Sequence, residues 1–191
     1  MAVASGSLTE SEASPSDAAL VVAARAGEEW AREALFRRHA RMALGLAHRL
    51  LPRDEDVDDV VQDCFLSALQ RLSTLQNPQA FAAWLGSIVV RVVGKRLRHR
   101  RLLVRLGLRS AEAFDPDALA APAAPGEVAV ELRRVYTLVS HLPAQQRVAL
   151  ILRRVDGLEV PQIADWMGLS ESTVKRRLKA AEERLERSRR P

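Results

Sequence analysis

Acidic side chains gather in one short stretch of the sequence, between positions 54 and 63. A helix over this stretch places Asp56, Asp59 and Asp63 on one face, because residues three and four apart are neighbours on a helix surface. Such a row of carboxylates can bind basic side chains of a partner protein. The alternative is a solvated acidic face that interacts favourably with the helix dipole. The acidic members are Asp54, Glu55, Asp56, Asp58, Asp59 and Asp63.

A basic stretch follows further along the chain, and no acidic residue occurs from 87 to 111. Cationic side chains in such a run can follow a phosphate backbone, and the affinity should then fall steeply with salt because counterions are released. A solvated basic face that binds nothing is the alternative. The candidates for contact with DNA here are Arg91, Lys95, Arg96, Arg98, Arg100 and Arg101, with His99 and Arg105 in the same run.

Two short helices near the C-terminus have the pattern of a helix-turn-helix. Ala164 must be small because the second helix crosses close to it, and Gly168 lies where the turn requires a positive φ. Ser170 is a good N-cap, so the second helix should begin there. An ordinary helical hairpin is the alternative. The apolar residues expected to join the two helices are Ile163, Met167, Leu169, Val174 and Leu178.

The second helix of this motif carries side chains suited to a major groove. Its hydroxyl groups can contact base edges, and its lysines and arginines can contact bases or phosphates. We therefore expect DNA contacts from this helix. The candidate residues are Ser170, Glu171, Ser172, Thr173, Lys175, Arg176, Arg177 and Lys179.

The sequence argues against catalysis and against export. The histidines lack metal-ligand spacing, and neither a glycine-rich phosphate loop nor a nucleophile elbow is present, so we expect no catalytic residue, cofactor, metal or small-molecule substrate. The single cysteine, Cys64, cannot form an internal disulfide and should be a buried apolar side chain. With no secretory signal, and with arginines interrupting every apolar run, we predict a cytoplasmic protein that does not interact with a membrane.

Helices must position these side chains, because strand signals are essentially absent and the apolar residues recur three and four apart. The sequence predicts an all-α fold of two small helical domains joined by a flexible linker. We expect a disordered arm over 1–17, a first domain over 18–103, a linker over 104–127, a second domain over 128–187 and a tail over 188–191.

Individual helices can be placed within the first domain. An apolar series that includes Trp30 and Leu35 predicts one helix, and an almost unbroken apolar stripe from Val57 to Leu72 predicts the strongest one. Asn77-Pro78 breaks the chain after it, and Phe81 begins a helix that runs into the basic stretch. In the second domain a helix is expected over 128–142, and Pro143 opens the next one, through Arg154.

The segments around the helix-turn-helix resemble region 4 of the sigma-70 family. The matching stretches are LPAQQRVALILR at 142–153, DGL at 156–158, Ile163-Ala164 and STVKRRL at 172–178. The upstream half resembles region 2 of the extracytoplasmic-function group, through DVDDVVQDCFL at 56–66 and FAAWLGSI at 81–88. Two independent motifs thus occur in the family's order with a linker between them.

The resemblance implies a sigma factor that binds core RNA polymerase and directs initiation at promoters. Its polymerase-binding residues would be Asp56, Asp59, Gln62 and Asp63, facing the clamp helices of the largest subunit. The basic stretch would engage the minus-10 element of promoter DNA, and the helix-turn-helix would read the minus-35 element. An anti-sigma factor would be a further partner.

The chain departs from the family pattern within the basic stretch. The family commonly has an asparagine and, four residues later, an aspartate where this chain has Arg91 and Lys95. Gly94 also weakens that helix by about 0.5–1 kcal/mol relative to alanine. Promoter melting and minus-10 specificity are therefore left open by the sequence.

Two other classes of protein remain open from the residues alone. One is a free-standing helix-turn-helix regulator that binds operator DNA as a dimer, with 18–103 as a sensing or dimerisation domain. It should bind palindromic DNA tightly by itself, whereas a sigma factor should bind core polymerase first. The other is a protein-interaction module or anti-sigma adaptor, which would leave the recognition helix without a role.

The linker sets an expectation for the distance between the domains. The two promoter elements lie about two helical turns apart, or roughly 68 Å. Residues 106–126 span about 70 Å when fully extended, but about 25 Å as a relaxed coil. We therefore expect the domains to lie closer together in the free chain than on a promoter.

Overall fold

The computed structural model describes residues 14–51, 57–108, 135, 137–139 and 141–189. Most of the predicted linker, of the predicted arm and of the predicted helix over 128–142 lies outside these residues, as do Asp54, Glu55 and Asp56; of that helix, 135 and 137–139 are described and are helical. Within the described ranges the regular structure is helical. The helices are α1 (Asp17–Arg25), α2 (Glu29–Leu50), α3 (Val57–Gln70), α4 (Phe81–Arg105), α5 (Ala144–Arg154), α6 (Val160–Met167) and α7 (Glu171–Arg189).

Helix α1 begins inside the segment that was expected to be a disordered arm. Ser16 is its N-cap, and the Ser16 hydroxyl accepts a hydrogen bond from the Ala19 amide at 3.2 Å. Arg38 of α2 donates to the hydroxyl of Ser14 and to the carboxylate of Asp17. A local cap and side chains of α2 therefore fix the start of α1 at Asp17, at the end of the segment expected to be a disordered arm.

Helices α2 and α3 pack through apolar stripes. The stripe predicted for α3 is confirmed, since Val57, Val60 and Cys64 are almost completely buried. Trp30 of α2, by contrast, is 54% exposed although it belongs to the apolar series of that helix. Helix α2 buries a face that includes Leu35 and excludes Trp30.

The break predicted at Asn77-Pro78 is confirmed. The Asn77 side chain accepts a hydrogen bond from the Gln79 amide at 3.1 Å and caps a 3-10 turn, Pro78–Ala80. Helix α4 then begins at Phe81 and continues for 25 residues through the basic stretch. Its buried side extends as far as Arg100, so one helix belongs both to the core and to the basic surface.

The helix-turn-helix also forms as predicted. Helix α6 starts with a capping box in which the Gln162 side chain accepts a hydrogen bond from the Glu159 amide at 2.9 Å. Gly168 has a φ of 64° at the turn, and the Ser170 hydroxyl accepts a hydrogen bond from the Thr173 amide at 3.4 Å. Helix α7 then continues through Arg189, into the predicted tail.

The two sets of helices pack against each other. One cluster of buried apolar side chains includes Val93 of α4 as well as Leu152 of α5 and Ile163 of α6. Arg49 at the end of α2 forms an ion pair with Asp156, which follows α5. The described residues therefore lie in a closed arrangement, in agreement with the expectation that the domains of the free chain are close together. No helix in the described ranges is long and apolar enough to span a membrane.

Candidate DNA and polymerase interfaces

The carboxylates of α3 lie on the helix face opposite the core. Asp59, Gln62 and Asp63 are all exposed, while Val60 and Val61 between them are buried. The remaining member of the predicted set, Asp56, lies outside the described residues. Helix α3 therefore presents a rigid acidic surface to solvent, in the geometry that a basic partner surface requires.

An exposed leucine extends this acidic surface, and the sequence reasoning missed it. Leu66 is 52% exposed and lies one turn beyond Gln62 on the same side of α3. The signal was present, since Leu66 falls outside the apolar stripe of α3 but within the stretch that resembles region 2. The combined surface offers charged contacts beside an apolar one.

Cys64 faces the interior, as predicted. Its side chain is fully buried, and burial, with a smaller contribution from Asp63, raises the pKa of its thiol to about 12. A thiol in this state is almost entirely protonated at neutral pH and is a poor nucleophile.

The basic residues of α4 divide between two environments. Arg91, Lys95, Arg98, Arg101 and Arg105 are exposed, and Arg96 is half-buried. Arg100 differs from them because it is only 9% exposed. Positions 93, 97 and 100 share the buried side of α4, so the Arg100 guanidinium is not presented to DNA in this arrangement.

Arg91 is already engaged by the second domain. Its Nη2 donates a hydrogen bond to the backbone carbonyl of Asp165 at 3.0 Å and lies 3.5 Å from the Asp165 carboxylate. Asp165 belongs to α6, the first helix of the helix-turn-helix. A residue predicted to contact the minus-10 element therefore joins the two halves of the molecule.

The aromatic residues at the start of α4 have separate surroundings. Phe81 is fully buried, and its ring centroid lies 5.1 Å from that of the buried His39. Trp84 is half-buried and lines a cleft of about 420 Å³ between the two halves of the molecule. The other residues around this cleft are Thr74, Leu75, Gln76, Asn77, Ala80, Ala83, Ser87, Arg91, Asp165 and Trp166.

Arg25 positions the loop on one side of this cleft. Its guanidinium donates to the backbone carbonyl of Leu72 through Nε at 3.1 Å and through Nη2 at 3.0 Å, and Nη2 also donates to the carbonyl of Leu75. Nothing in the sequence pointed to this role, because the acceptors are backbone groups some fifty positions away. Arg25 thus fixes the connection between α3 and α4.

The recognition helix α7 exposes most of its predicted contact residues. Ser172, Lys175, Arg176 and Lys179 are exposed, as are Ser170 and Glu171 at the start of the helix. The Ser170 hydroxyl lies within 3.0 Å of the Ser172 hydroxyl and 2.9 Å of the Thr173 hydroxyl. The N-terminus of α7 is therefore an organised polar surface.

Arg177 is less accessible than its neighbours on α7. Its Nη1 donates a hydrogen bond to the Gln145 side chain at 2.8 Å, and burial, followed by the charges of Arg176 and Arg98, lowers the pKa of its guanidinium. Because the charge of Arg98 contributes to the lowered pKa of Arg177, the basic surface of α4 lies within electrostatic range of α7. Burial also lowers the pKa of Arg147, on α5.

Both halves of the chain match models of known protein regions. Residues 35–102 match sigma-70 region 2, and residues 132–185 match sigma-70 region 4. The two matches cover more than half of the chain. The first match includes most of α4, and the second includes most of α7.

The chain is also similar to characterised proteins along most of its length. It is 34% identical to the ECF RNA polymerase sigma factor SigM of Mycobacterium tuberculosis, over 90% of this chain and 84% of that protein. It is 35% identical to the RNA polymerase sigma factor CnrH of Cupriavidus metallidurans, over 90% of this chain and 94% of that protein.

Solved structures show the same fold. CnrH in complex with the cytosolic domain of CnrY superposes with a TM-score of 0.57 at 27% identity, covering 89% of this chain and 94% of that one. The sigma factor RpoE of Bartonella quintana, in complex with NepR, superposes with a TM-score of 0.62 at 21% identity, covering 80% and 92%. The chain therefore belongs to the extracytoplasmic-function group of the sigma-70 family of RNA polymerase sigma factors.

Proposed function

We propose that this chain recruits core RNA polymerase through the acidic face of α3 and directs it to promoters read by α4 and α7. The observation that carries the proposal is the pairing of a region 2 and a region 4 in one chain, each with polar side chains on the outer face of a packed helix. The same pairing argues against the free-standing operator-binding dimer, which needs only the helix-turn-helix and a dimerisation surface.

Core polymerase is the partner we assign to the surface of α3. Asp59, Gln62 and Asp63 are exposed on one rigid helix, and Asp56 extends their row in the sequence. Leu66 adds an apolar contact within the same surface. Acidic side chains around an apolar residue suit a partner that is basic at its rim and apolar at its centre.

The minus-10 element is the partner we assign to the basic face of α4. Arg91, Lys95, Arg98 and Arg101 are exposed and can follow a phosphate backbone. Arg91 and Lys95 supply charge where the family commonly has an asparagine and an aspartate. We expect them to strengthen backbone binding, which depends on salt, more than base recognition.

The minus-35 element is the partner we assign to α7. Its N-terminal turn presents Ser172 and the hydroxyl network around Ser170, with Lys175 and Arg176 following on the helix. A recognition helix reads base edges mainly through its N-terminal residues, and cationic side chains further along contact phosphates. Sequence selection should therefore depend on the first turn of α7.

The chain acts by binding, and we propose that it catalyses no reaction itself. Recognition and strand separation would draw on the free energy of contacts with polymerase and DNA. Because its proposed partners are RNA polymerase and promoter DNA, we propose that the protein acts in the cytoplasm. RpoE was solved with an anti-sigma factor and CnrH with a domain of CnrY, and we propose that a protein of the anti-sigma class also binds this chain.

Transcription from genomic DNA tests the proposal directly. The purified chain is added to bacterial core polymerase with fragmented DNA of the source organism, and the 5′ ends of the transcripts are mapped. We expect new 5′ ends that share two sequence elements at a fixed spacing upstream. Identical 5′ ends with and without the chain would contradict the proposal, and tight binding of the chain alone to palindromic duplexes would favour the operator-binding regulator.

A further inference from the structure

Arg25, the last residue of α1, is bound to a segment that lies 47 positions further along the chain. Its guanidinium donates to the Leu72 carbonyl through Nε at 3.1 Å and through Nη2 at 3.0 Å, and Nη2 also donates to the Leu75 carbonyl. Both carbonyls belong to residues 71–80, which join α3 to α4 and which we call the connecting loop. One planar guanidinium therefore bridges two backbone groups of this loop in a fixed geometry.

The hydrogen bonds from Arg25 attach the connecting loop in a way that its own contacts do not. The Leu75 amide donates to the Leu72 carbonyl at 3.3 Å, and this bond closes a turn without attaching the turn to another element. The side chains of Leu72 and Leu75 are buried, but apolar burial is not directional. Hydrogen bonds depend on angle as well as distance. Arg25 therefore fixes the orientation of the loop.

The connecting loop carries polar side chains beside the surface assigned to the minus-10 element. Gln76 and Asn77 are exposed, and both line the cleft that Trp84 and Arg91 of α4 also line. A side-chain amide has a donor and an acceptor in one plane and can pair with the edge of a base. The Asn77 side chain accepts from the Gln79 amide, whereas the Gln76 side chain makes no hydrogen bond with the described residues. The Gln76 amide is thus available to a ligand.

Arg25 can influence this surface only through the loop. Among the described residues, those that line the cleft include Leu75 and Gln76 but not Arg25. A shift of less than about 1 Å takes a hydrogen bond out of range. A loop that is free to rotate would therefore lose contacts made by the Gln76 amide, even though the amide itself is unchanged.

We propose that Arg25 is a positioning residue for selection of the minus-10 element, because its bridge to the Leu72 and Leu75 carbonyls holds the Gln76 amide where it can meet a base. This inference rests on the proposed function of α4 in engaging that element. It gives α1 an indirect part in promoter selection. Loss of the bridge should change which bases are accepted and leave the attraction to DNA phosphates intact.

Two substitutions separate the geometry of Arg25 from its charge. Arg25→Lys keeps the charge but replaces the planar fork with a single ammonium group, which cannot reproduce the bridge. Arg25→Ala removes both. Arg32→Ala is the matched control, because it also removes one arginine, from the start of α2, where Arg32 pairs with the exposed Glu29. Arg25 is itself exposed, so we expect all three variants to fold, as circular dichroism would verify.

Hydrogen exchange in the free full chain tests whether Arg25 fixes the loop. The amides of the connecting loop, including those of Thr74 and Leu75, should exchange faster in Arg25→Ala and Arg25→Lys than in the parent, because the loop opens more often. Arg32→Ala should match the parent. Unchanged exchange in both Arg25 variants would overturn the positioning role, whether or not the chain binds polymerase.

Base selectivity of the holoenzyme is the second readout. The promoter is taken from the mapped transcripts, and each base pair of its two elements is changed in turn. A mismatched base pair typically lowers affinity by about fivefold or more. Both Arg25 variants should lose most of that discrimination at one or two minus-10 positions and keep it at the minus-35 positions. Arg25 variants with the discrimination of the parent at every position would contradict the proposal.

Salt dependence and a double variant identify the route by which Arg25 acts. The salt slope of Arg25→Ala should equal that of the parent. A slope reduced by about one and restored in Arg25→Lys would indicate a direct phosphate contact and overturn the proposal. Adding Arg25→Ala to Gln76→Ala should cause no further loss of selectivity, since both act on one contact, and additive losses would overturn it too.

Failure of the proposed function would be distinguishable from failure of this inference. A parent chain that directs polymerase to no promoter would overturn the proposed function, and a role of Arg25 in promoter selection with it. A parent that initiates normally, with Arg25 variants of equal selectivity, would overturn the role of Arg25 alone.

Discussion

At the scale of single residues, the N-terminus of α1 carries a partly exposed electrostatic contact between Asp17 and α2. Asp17 accepts from Arg38 Nη1 at 2.8 Å, and its other carboxylate oxygen lies 3.0 Å from Nε2 of His39. Burial alone would raise the pKa of Asp17, but the hydrogen bond from Arg38 and the proximity of His39 outweigh it and hold the pKa below its ordinary value of 3.8. The ionised form of Asp17 therefore stabilises the folded chain.

This shift predicts how the stability of an Asp17→Asn variant depends on pH. A depressed carboxyl pKa contributes stability above the unfolded value near 3.8 and loses it as the pH falls through the lower folded value. We expect the variant to be less stable than the parent by up to about 1 kcal/mol at neutral pH, because the group is partly screened by solvent. Chemical denaturation at a series of pH values measures the difference.

The difference should shrink as the solution becomes more acidic and vanish once Asp17 is protonated in both states. Glu29→Gln is a suitable control, because its ion pair with Arg32 is exposed and should contribute little at any pH. A loss of stability in Asp17→Asn that is the same at every pH would contradict the account.

At the scale of elements, the helix-turn-helix depends on a turn that favours glycine. Gly168 has a φ of 64°, and a Cβ added there would meet no atom within 4 Å. Substitution therefore costs only the conformational strain of the left-handed region, about 1–2 kcal/mol for an L-residue. Gly168→Ala should lower the melting temperature, as followed by circular dichroism.

Gly94→Ala is the opposite case, because Gly94 lies within α4 and has open space apart from a flexible arginine. It should leave the melting temperature unchanged or raise it, since alanine is the better helix former. Equal effects of the two substitutions would contradict a left-handed backbone conformation at Gly168.

The recognition helix allows a second prediction at this scale. Lys175→Ala and Arg176→Ala should each weaken binding of the holoenzyme to promoter DNA and reduce the salt slope by about one, if each side chain neutralises one phosphate. Anisotropy titrations at several salt concentrations, with a promoter taken from the mapped transcripts, provide the slope. Arg187→Ala removes the same charge from the exposed far end of α7 and should change neither quantity.

Local signals predicted these elements well. The cap at Ser170, the glycine of the turn and the apolar stripe of α3 all follow from residues within a few positions of one another. The sequence could not predict that Arg100 is buried, that Trp30 is exposed or that Arg91 is bound by Asp165. Each of these depends on which face of a long helix meets a distant part of the chain, and periodicity alone does not decide it.

At the scale of the whole molecule, two regions with separate DNA targets share one apolar cluster. The cluster crosses from α4 to α5 and α6, and the Arg49–Asp156 ion pair reinforces it. The length of the linker suggested that the domains would lie close together. Only the structure, however, identifies the residues through which they are in contact. Binding of polymerase and separation of the domains must therefore be coupled if both promoter elements are to be read.

The most direct test of the central claim is an anisotropy titration of the labelled full chain with bacterial core RNA polymerase. The parent should bind tightly, and the double variant Asp59→Ala, Asp63→Ala should bind at least about tenfold more weakly, a loss of about 1.4 kcal/mol. The control is Glu29→Ala, Glu33→Ala, which removes two exposed carboxylates from α2 and makes the same change in net charge. A parent that does not bind, or two double variants that weaken binding equally, would contradict the assignment of α3 as the polymerase-binding surface.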